Sequence, residues 1–236
     1  MRNNLSKSLD FTLAAEGGYQ CNKADDGNWS GGRVGRGNLA GTKYGISAAL
    51  MALVVGSVAA VTPSMMRKLT VSQARDIATE RFWRVMRCDD LPAGIDVMLF
   101  DFGFNSTPER AVRHLQAIVD FKNPDGLIGP DTLFRVEHIQ PATIAPFISH
   151  DYAEQLQSWL GVSPDGHIGP LTLAAAAAQQ AHDVMLVYAL ASQQEAAYRS
   201  FKKFPVFGDG WLNRLEARVA FAHQLLAAQS APAAVA

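Results

Sequence analysis

Apolar residues recur at helical spacing from the beginning of the chain. Leu5, Leu9 and Leu13 fall at i, i+4 and i+8, and at about 100° per residue Glu16 lies on the same face. The glycine pair 17–18 then predicts a left-handed residue that ends the helix. A glutamate on an apolar face at a helix C-terminus loses hydration and meets the negative end of the helix dipole, and both effects raise its pKa. The pattern predicts a helix that ends at a general acid, with a surface glutamate in the last turn as the alternative.

After this helix the chain changes to polar stretches interrupted by glycines. Asp25 and Asp26 lie in a turn sequence of Asp, Gly, Asn and Ser, which supplies a second carboxylate. Residues 30–46 then read as short strands and turns that lead to Thr42 and Tyr44. Glycines in such a segment favour positive φ angles and close approach of the backbone. The segment therefore predicts a small irregular β-hairpin beside a groove.

The remaining chain is predicted to be largely helical. Residues 70–73 have the sequence of a capping box, and the Thr-Pro pair 107–108 opens a further helix. The apolar run 50–61 predicts a buried helix, because it is shorter than the ~20 residues needed to span a bilayer. The segment 205–209 predicts a break, so that the last helix begins after it. The tail 230–236 is predicted to be disordered.

A nine-residue motif occurs twice in the second half of the chain, at an offset of 40 residues. Residues 125–133 read DGLIGPDTL and residues 165–173 read DGHIGPLTL, each preceded by a Leu-Gln pair. Because a Gly-Pro step sets a helix start, the unit is predicted to be helix, Asp-Gly turn, helix. Every landmark of the motif is also what the turn itself requires, so a binding role and a purely structural role both remain open.

Composition narrows the class of protein further. The 236 residues are 48% hydrophobic and 18% charged, with a net charge of −1, as in an ordinary globular protein without a basic field for nucleic acid or for an anionic envelope. Cys21 and Cys88 are too few for a disulfide framework, and we expect reduced thiols. The six histidines are scattered, so we expect no metal and no organic cofactor.

Several motifs, taken together, resemble a known family. Residues 16–19 read EGGY, residues 25–27 read DDG and residues 41–46 read GTKYGI; in this order they resemble glycoside hydrolase family 108, the bacterial and phage N-acetylmuramidases. The likeness continues in residues 80–83, 91–94, 100–106 and 210–214. The resemblance implies a mainly α, lysozyme-like α+β fold with a small irregular β-hairpin at the cleft, plus helical repeats.

The resemblance also implies roles for individual residues. Glu16 matches the catalytic acid, Asp25 the acidic position nine residues later and Thr42 the threonine after the turn. Many relatives have Asp where this chain has Asn22 and Pro where it has Asp26, so the choice between Asp25 and Asp26 stays open. Hydrolysis of a glycoside requires one protonated and one ionised carboxyl. Asp25 and Thr42 would position a water and invert the anomeric carbon if the carboxyls lie about 6.5 to 9.5 Å apart, whereas about 5 Å would predict retention.

Three further residues are predicted to bind substrate: Asp26, Tyr44 and Asn105. Asn105 ends an aromatic segment that also contains Asp101, and its amide is suited to contact sugar amides, whereas Asp101 is predicted to be a buried, hydrogen-bonded residue. The alternatives are a lytic transglycosylase that uses Glu16 alone and a noncatalytic cell-wall-binding protein.

The predicted organisation has three parts: a catalytic region over 1–110, two repeats that resemble peptidoglycan-binding modules over 111–178, and C-terminal helices over 179–236 that pack back on the catalytic region. We expect a monomer whose partner is bacterial peptidoglycan, with no nucleic acid and no stable membrane insertion. No signal peptide is evident. We therefore expect synthesis in the bacterial cytoplasm and action on the periplasmic wall, after holin-dependent release or delivery by a secretion system.

Overall fold

The structure is a computed structural model that describes residues 4–230, and it is mainly helical. This confirms the predicted fold class, an α-rich protein with one small antiparallel sheet. Its internal contacts divide the chain into two units: residues 5–85 form the N-terminal unit, and the other described residues form the C-terminal unit. The organisation into regions 1–110, 111–178 and 179–236 remains a prediction. Residues 231–236, most of the tail expected to be disordered, lie outside the described residues.

The N-terminal unit combines short helices with a two-stranded sheet. Its elements are α1 (Leu5–Ala14), a 3-10 turn (Asp26–Asn28), β1 (Thr42–Lys43), β2 (Ile46–Ser47), α2 (Ala48–Val55), α3 (Pro63–Lys68), α4 (Val71–Ala78) and a π-helical turn (Thr79–Trp83). The capping box predicted before α4 is confirmed, since Thr70 Oγ1 accepts from Gln73 N at 3.2 Å and Gln73 Oε1 accepts from Thr70 N at 3.0 Å. Helix α1 packs against α4 and the π-helical turn.

Helix α1 is shorter than its apolar pattern predicts. It ends at Ala14, two residues before Glu16, and neither Gly17 nor Gly18 has a positive φ. The expected helix end at Glu16 with a left-handed glycine cap is therefore wrong. The physical reason is tertiary: the chain after Glu16 turns away to form main-chain hydrogen bonds with the hairpin, with Gln20 N donating to Thr42 O at 2.9 Å.

Helix α2 also differs from expectation. The buried helix predicted over 50–61 ends at Val55, with Gly56 in the left-handed conformation as its cap. Only part of it is buried: Ala52 is 6% exposed, whereas Leu53 is 69% exposed. An apolar run without helical periodicity gives no signal for which face is covered, and here one face remains at the surface.

The C-terminal unit is built around α5 (Ile95–Asn105), of which every residue from Ile95 to Phe104 is buried. Around it are helices of both the repeats and the C-terminal segment: α6 (Pro108–Ile118), α7 (Pro130–His138), α8 (Pro141–Ile144), α9 (His150–Leu160), α10 (Pro170–Ala178), α11 (His182–Ser200) and α12 (Phe204–Ser230), with 3-10 turns at Cys88–Asp90 and Ala145–Phe147. Helices α6, α11 and α12 all pack on α5.

The break predicted over 205–209 is wrong. Helix α12 begins at Phe204 and continues through Gly210 and Trp211 without interruption. Pro205 lies in its first turn, where the missing N–H has no intrahelical partner in any case. A proline close to a helix start therefore reads as a breaker in sequence but acts as an initiator here.

Both repeats adopt the predicted helix, turn, helix arrangement, and each is held by one buried glutamine. Gln116 lies on α6 and donates to Asp125 Oδ1 at 2.7 Å, while its Oε1 accepts from Gly126 N at 2.9 Å. Gln157 on α9 makes the same bonds to Asp165 and Gly166, at 2.7 and 2.9 Å. In each repeat, the side-chain amide of a glutamine on the preceding helix thus holds the Asp-Gly turn by hydrogen bonds.

Candidate active site

Glu16 lies in the extended connection that follows α1, and its side chain is half-buried. Its N–H donates to Leu13 O at 3.1 Å, so the chain makes one last turn before it leaves the helix. The buried residues of α1 are Ser8, Leu9 and Thr12, whereas Leu13 is half-buried. The apolar face of the helix therefore continues toward Glu16 but does not enclose it completely.

The loop after Glu16 is hydrogen-bonded to the β-hairpin on both sides of β1. Tyr44 N donates to Gly17 O at 3.2 Å, and Gln20 and Thr42 exchange two main-chain hydrogen bonds, at 2.8 and 2.9 Å. An isolated antiparallel bridge results between Gln20 and Thr42. The backbone next to Glu16 is thus fixed directly to the strand that carries Thr42.

Gly41 is required at this junction. Its φ is +88°, and a Cβ added there would lie 2.5 Å from Gln20 O and 2.7 Å from the Tyr19 ring. Only glycine combines this backbone conformation with so close an approach. The Tyr19 hydroxyl also donates to Ala40 O at 3.1 Å, so the residue three positions after Glu16 packs against the start of β1.

Asp25 is held in a turn that is attached to the same point of the hairpin. It caps the 3-10 turn, with Oδ1 accepting from Gly27 N at 3.1 Å and Oδ2 accepting from Asn28 Nδ2 at 2.7 Å. Asn28 is fully buried, and its carbonyl oxygen accepts from Ala40 N at 2.9 Å and Gly41 N at 3.0 Å. The turn that orients Asp25 is therefore hydrogen-bonded to Gly41, the residue before Thr42.

The Asp26 carboxylate binds a different part of the backbone. Its side chain is exposed, and Oδ1 accepts from Val34 N at 2.8 Å. This bond closes the glycine-rich loop instead of orienting the carboxylate toward β1. Of the two adjacent acids, Asp25 is the one tied to the hairpin.

Thr42 and Tyr44 lie on either side of the hairpin turn. β1 and β2 pair with Lys43 opposite Ile46, which leaves the two-residue loop Tyr44–Gly45. Both loop residues have positive φ, 51° and 74°, the pattern of a type I′ turn. A tyrosine in this conformation is uncommon and strained. The predicted hairpin is confirmed, and Thr42 is half-buried in its first strand.

Asn105 is the one predicted site residue outside the N-terminal unit. It is the last residue of α5, its side chain is exposed, and Nδ2 donates to Asp101 O at 2.8 Å. The five others, Glu16, Asp25, Asp26, Thr42 and Tyr44, belong to the N-terminal unit, where the segments that carry them are joined by the hydrogen bonds described above.

Two parts of the chain are similar to known protein families. Residues 9–106 match the family described as Glycosyl hydrolase 108, and residues 153–216 match the Predicted Peptidoglycan domain. Over residues 9–106, the chain is therefore similar to glycoside hydrolase family 108. A solved structure of SagA from Brucella abortus is similar, with a TM-score of 0.60 and 25% identity over 96% of this chain and 97% of that chain. The comparison with curated proteins found no match.

The two matches together make this glycoside hydrolase a peptidoglycan hydrolase, which confirms the predicted enzyme class. The family 108 match begins within α1 and ends just after α5, and it contains all six predicted site residues. The second match contains the repeat over 165–173 but not the one over 125–133. The two repeats are therefore alike in structure but not in what they match.

Sequence reasoning missed two residues that shape the candidate active site. Asn28 orients Asp25, and its buried position follows from an Asp-x-x-Asn spacing in a glycine-containing turn, a signal that could have been used. Arg67, at the end of α3, lies over the Tyr19 ring at 5.0 Å. No local pattern predicts that contact, because the two residues are far apart in sequence.

Within residues 4–230, no group of three or more His, Cys, Asp or Glu side chains could hold a metal ion. Over the same residues, no helix has both the length and the apolar character needed to cross a bilayer.

Proposed function

We propose that the protein is an N-acetylmuramidase that hydrolyses the β-1,4 bond between N-acetylmuramic acid and N-acetylglucosamine in bacterial peptidoglycan. The observation that carries the proposal is the set of main-chain bonds that joins the Glu16 loop, the Asp25 turn and the Thr42 strand around Gln20, Asn28 and Gly41. A hydrolase of this class needs an acid and a second carboxylate held at a fixed separation, and these bonds supply the rigidity.

Glu16 is proposed as the general acid that protonates the leaving glycosidic oxygen. It follows a helix whose buried side faces the core, and its neighbours Gly17 and Gln20 are bonded to the hairpin. A backbone fixed on both sides limits the positions its carboxyl can take, which favours proton transfer in a defined geometry.

Asp25 is proposed as the second carboxylate, in preference to Asp26. Two donors, Gly27 N and Asn28 Nδ2, orient its carboxylate, whereas Asp26 binds the glycine-rich loop through Val34 N. An oriented carboxylate can accept a proton from water that attacks the far face of the sugar. The Thr42 hydroxyl, in the adjacent strand, is proposed to hold the same water.

Digestion of purified peptidoglycan, followed by mass spectrometry, tests the reaction. Wild type is expected to release fragments with reducing muramic ends, and Glu16→Gln is expected to lower the rate by about 10²- to 10⁴-fold, the usual contribution of a general acid. Glu80→Gln serves as a matched control, because Glu80 is an exposed glutamate of the same unit, and its carboxylate pairs with Arg84 at 2.6 Å.

Three outcomes would contradict the proposal. Anhydromuramic ends would identify a lytic transglycosylase, in which a hydroxyl of the substrate replaces water. Undiminished release of fragments by a folded Glu16→Gln variant would exclude Glu16 as the acid. Absence of any release by the wild type would favour the alternative of a noncatalytic wall-binding protein. Circular dichroism of each variant establishes that it is folded.

We also propose a lytic role, with synthesis in the bacterial cytoplasm and action on the periplasmic wall after release by a holin or delivery by a secretion system. The pairing of a hydrolase domain with a peptidoglycan domain supports it. Added protein is expected to clear cells whose outer membrane has been permeabilised, and to leave untreated Gram-negative cells turbid. Failure to clear the permeabilised cells would contradict the lytic role.

A further inference from the structure

Four side chains form a cationic-aromatic cluster beside the hairpin: Tyr19, Lys43, Tyr44 and Arg67. Lys43 Nζ lies 5.0 Å from the centre of the Tyr44 ring, and Arg67 Cζ lies 5.0 Å from the centre of the Tyr19 ring. Lys43 Nζ also donates to Arg67 O at 2.6 Å, which joins the two halves. Two cations are thus each held over an aromatic face, an arrangement that fixes long side chains in place.

The cluster is continuous with the candidate active site. Lys43 follows Thr42 in β1, and Tyr44 N is bonded to Gly17 O, one residue after Glu16. Tyr19 packs on Gly41. The segments that carry the two cations are therefore joined by backbone bonds and ring packing to the segments that carry Glu16 and Thr42.

Within the part of the chain that the structure describes, neither cation has an acidic partner. Arg75 and Arg84 of the same unit pair with Asp10 and Glu80, at 2.5 and 2.6 Å. Neither Lys43 nor Arg67 has a carboxylate within 4.0 Å among residues 4–230. Arg67 is exposed and Lys43 is half-buried, and a cation that is fixed in position without an anion is suited to take one from a ligand.

The net charge of the surrounding residues also favours the binding of an anion. The near-zero net charge conceals an uneven distribution: residues 5–85 have ten Lys or Arg against six Asp or Glu, a net of +4, whereas residues 86–236 have ten against sixteen, a net of −6. The near-zero net charge of the whole chain therefore does not describe residues 5–85, which carry an excess of positive charge. Burial, and then the Cys21 side chain, raise the pKa of the Tyr19 phenol, with Arg67 opposing, so the phenol stays neutral and does not cancel the nearby charge.

We propose that Lys43 and Arg67 bind a carboxylate of the glycan strand. This inference rests on the proposed muramidase function and adds what the site recognises. Every muramic acid residue carries a lactyl carboxylate when its peptide has been removed, and the stem peptides carry further carboxylates, whereas a chitin oligomer has none. The cluster therefore makes the enzyme prefer an anionic glycan over a neutral one, through a planar guanidinium and an ammonium at adjacent positions.

Ligand binding by the full-length Glu16→Gln protein tests the inference, because that variant does not consume the ligand. Three tetrasaccharides are used: an N-acetylglucosamine oligomer without carboxylates, a GlcNAc-MurNAc oligomer freed of peptide, and the same oligomer with its stem peptides. Adding Arg67→Gln or Lys43→Gln is expected to weaken binding of the carboxylate ligands by about fivefold each, the upper range for one exposed ion pair, with no change for the neutral oligomer. A loss confined to the peptide-bearing ligand would assign the stem peptide as the source of the carboxylate, and a loss confined to the peptide-free ligand would assign the lactyl group. A loss with both ligands would show that the cluster binds either carboxylate.

Lys68→Gln is the matched control. Lys68 is the next residue of the same helix end and is also exposed, but it lines a groove beside Met51 and Val54 instead of the Tyr19 ring. Equal losses for Lys68→Gln and Arg67→Gln would overturn the inference, and so would equal losses for charged and neutral ligands. The result is separate from the hydrolysis test: a wild type that forms anhydro products but prefers carboxylate ligands would refute the muramidase, and one that hydrolyses wall without this preference would refute the cluster.

Discussion

Arg218 and Asp101 form an ion pair that is completely shielded from water. Arg218 Nη2 lies 2.6 Å from Asp101 Oδ2, its Nε donates to the same oxygen at 2.7 Å, and neither side chain has exposed surface. Burial disfavours charge on the guanidinium, but the Asp101 carboxylate and the Tyr198 hydroxyl outweigh it and raise the pKa of Arg218 above its usual value. The pair joins α5 to α12 in the core of the C-terminal unit, and the predicted buried role of Asp101 is confirmed.

Asp101→Asn is expected to destabilise the protein by about 3 to 5 kcal/mol, because it leaves a buried cation without its counter-charge. Urea denaturation followed by circular dichroism measures the loss. Asp131→Asn is the control: Asp131 pairs with Arg135 at 3.3 Å, and its side chain is 62% exposed, so less than about 1 kcal/mol is expected. Similar losses for the two variants would show that the buried pair is not a main support of the core.

Local sequence signals predict the elements that a few neighbouring residues decide. The capping box at Thr70, the proline at the start of α6 and the Gly-Pro steps of the repeats all stand where expected. Each works through bonds within one turn of the backbone, so no distant residue can alter it.

The site itself depends on distant partners, and there the sequence is less informative. The end of α1 is set by hydrogen bonds to Thr42 and Tyr44, which lie more than twenty residues away, so helical periodicity alone places Glu16 wrongly on the helix. Likewise nothing near Asp101 in sequence predicts Arg218, which is 117 positions away. Family resemblance predicts which residues form the candidate site, but it does not predict the backbone hydrogen bonds that position them.

Gly41→Ala is expected to destabilise the N-terminal unit by about 2 to 4 kcal/mol, combining the strain of a positive φ with a clash against Gln20 O and the Tyr19 ring. Because the same contacts hold the Glu16 loop to β1, wall hydrolysis should fall more than the folded fraction does. Thermal unfolding and the initial rate on purified wall are measured together.

Gly35→Ala separates strain from contact in this prediction. Gly35 also has a positive φ, +78°, but an added Cβ there would meet no atom within 4 Å, so about 1 kcal/mol is expected from the conformation alone. If Gly41→Ala were no worse than Gly35→Ala, the close approach at the hairpin would have no structural consequence.

Asp25→Asn is expected to lower kcat by about 10²- to 10⁴-fold with little change in KM, as for loss of a general base. Asparagine can still cap the 3-10 turn, so folding should be preserved. Asp26→Asn, which changes only the contact with Val34 N, is expected to lower kcat by less than about tenfold. The reverse order of effects would make Asp26 the second carboxylate.

His114 gives the C-terminal unit a defined dependence on pH. Burial, and then the positive charge of Arg110, lower its pKa to about 4, and its ring packs on Phe102 with 5.2 Å between centroids. The unfolded chain takes up this proton near pH 6.5, whereas the folded chain does so only near pH 4, so unfolding binds a proton between these values. Stability should therefore fall as the pH is lowered through this window, by up to about 3 kcal/mol.

His114→Gln is expected to flatten that part of the curve of unfolding free energy against pH. His138→Gln, at an exposed histidine of α7, should leave the curve unchanged. An unaltered slope in His114→Gln would mean that other groups cause the loss of stability in acid.

Gln157 distinguishes a binding role of the repeats from a structural one. It is 1% exposed, and its Nε2 donates to Asp165 Oδ1 and, at 3.2 Å, to Thr172 Oγ1, while its Oε1 accepts from Gly166 N. Gln157→Leu removes this partner from the buried Gly166 N–H and the buried Thr172 hydroxyl, and about 1 to 3 kcal/mol of stability should be lost for each of these groups that stays dry. The equivalent Gln116→Leu in the first repeat should lose a similar amount, since the two networks are the same.

Wall binding should separate the two variants. Only the second repeat lies within the match to the peptidoglycan domain, so Gln157→Leu should reduce sedimentation of the protein with insoluble peptidoglycan, and Gln116→Leu should not when both are measured well below their unfolding temperatures. Each is combined with Glu16→Gln so that the wall is not degraded. Equal retention of both variants would mean that the shared turn is a structural joint, because a distorted Asp-Gly turn would then disturb packing without disturbing a ligand surface.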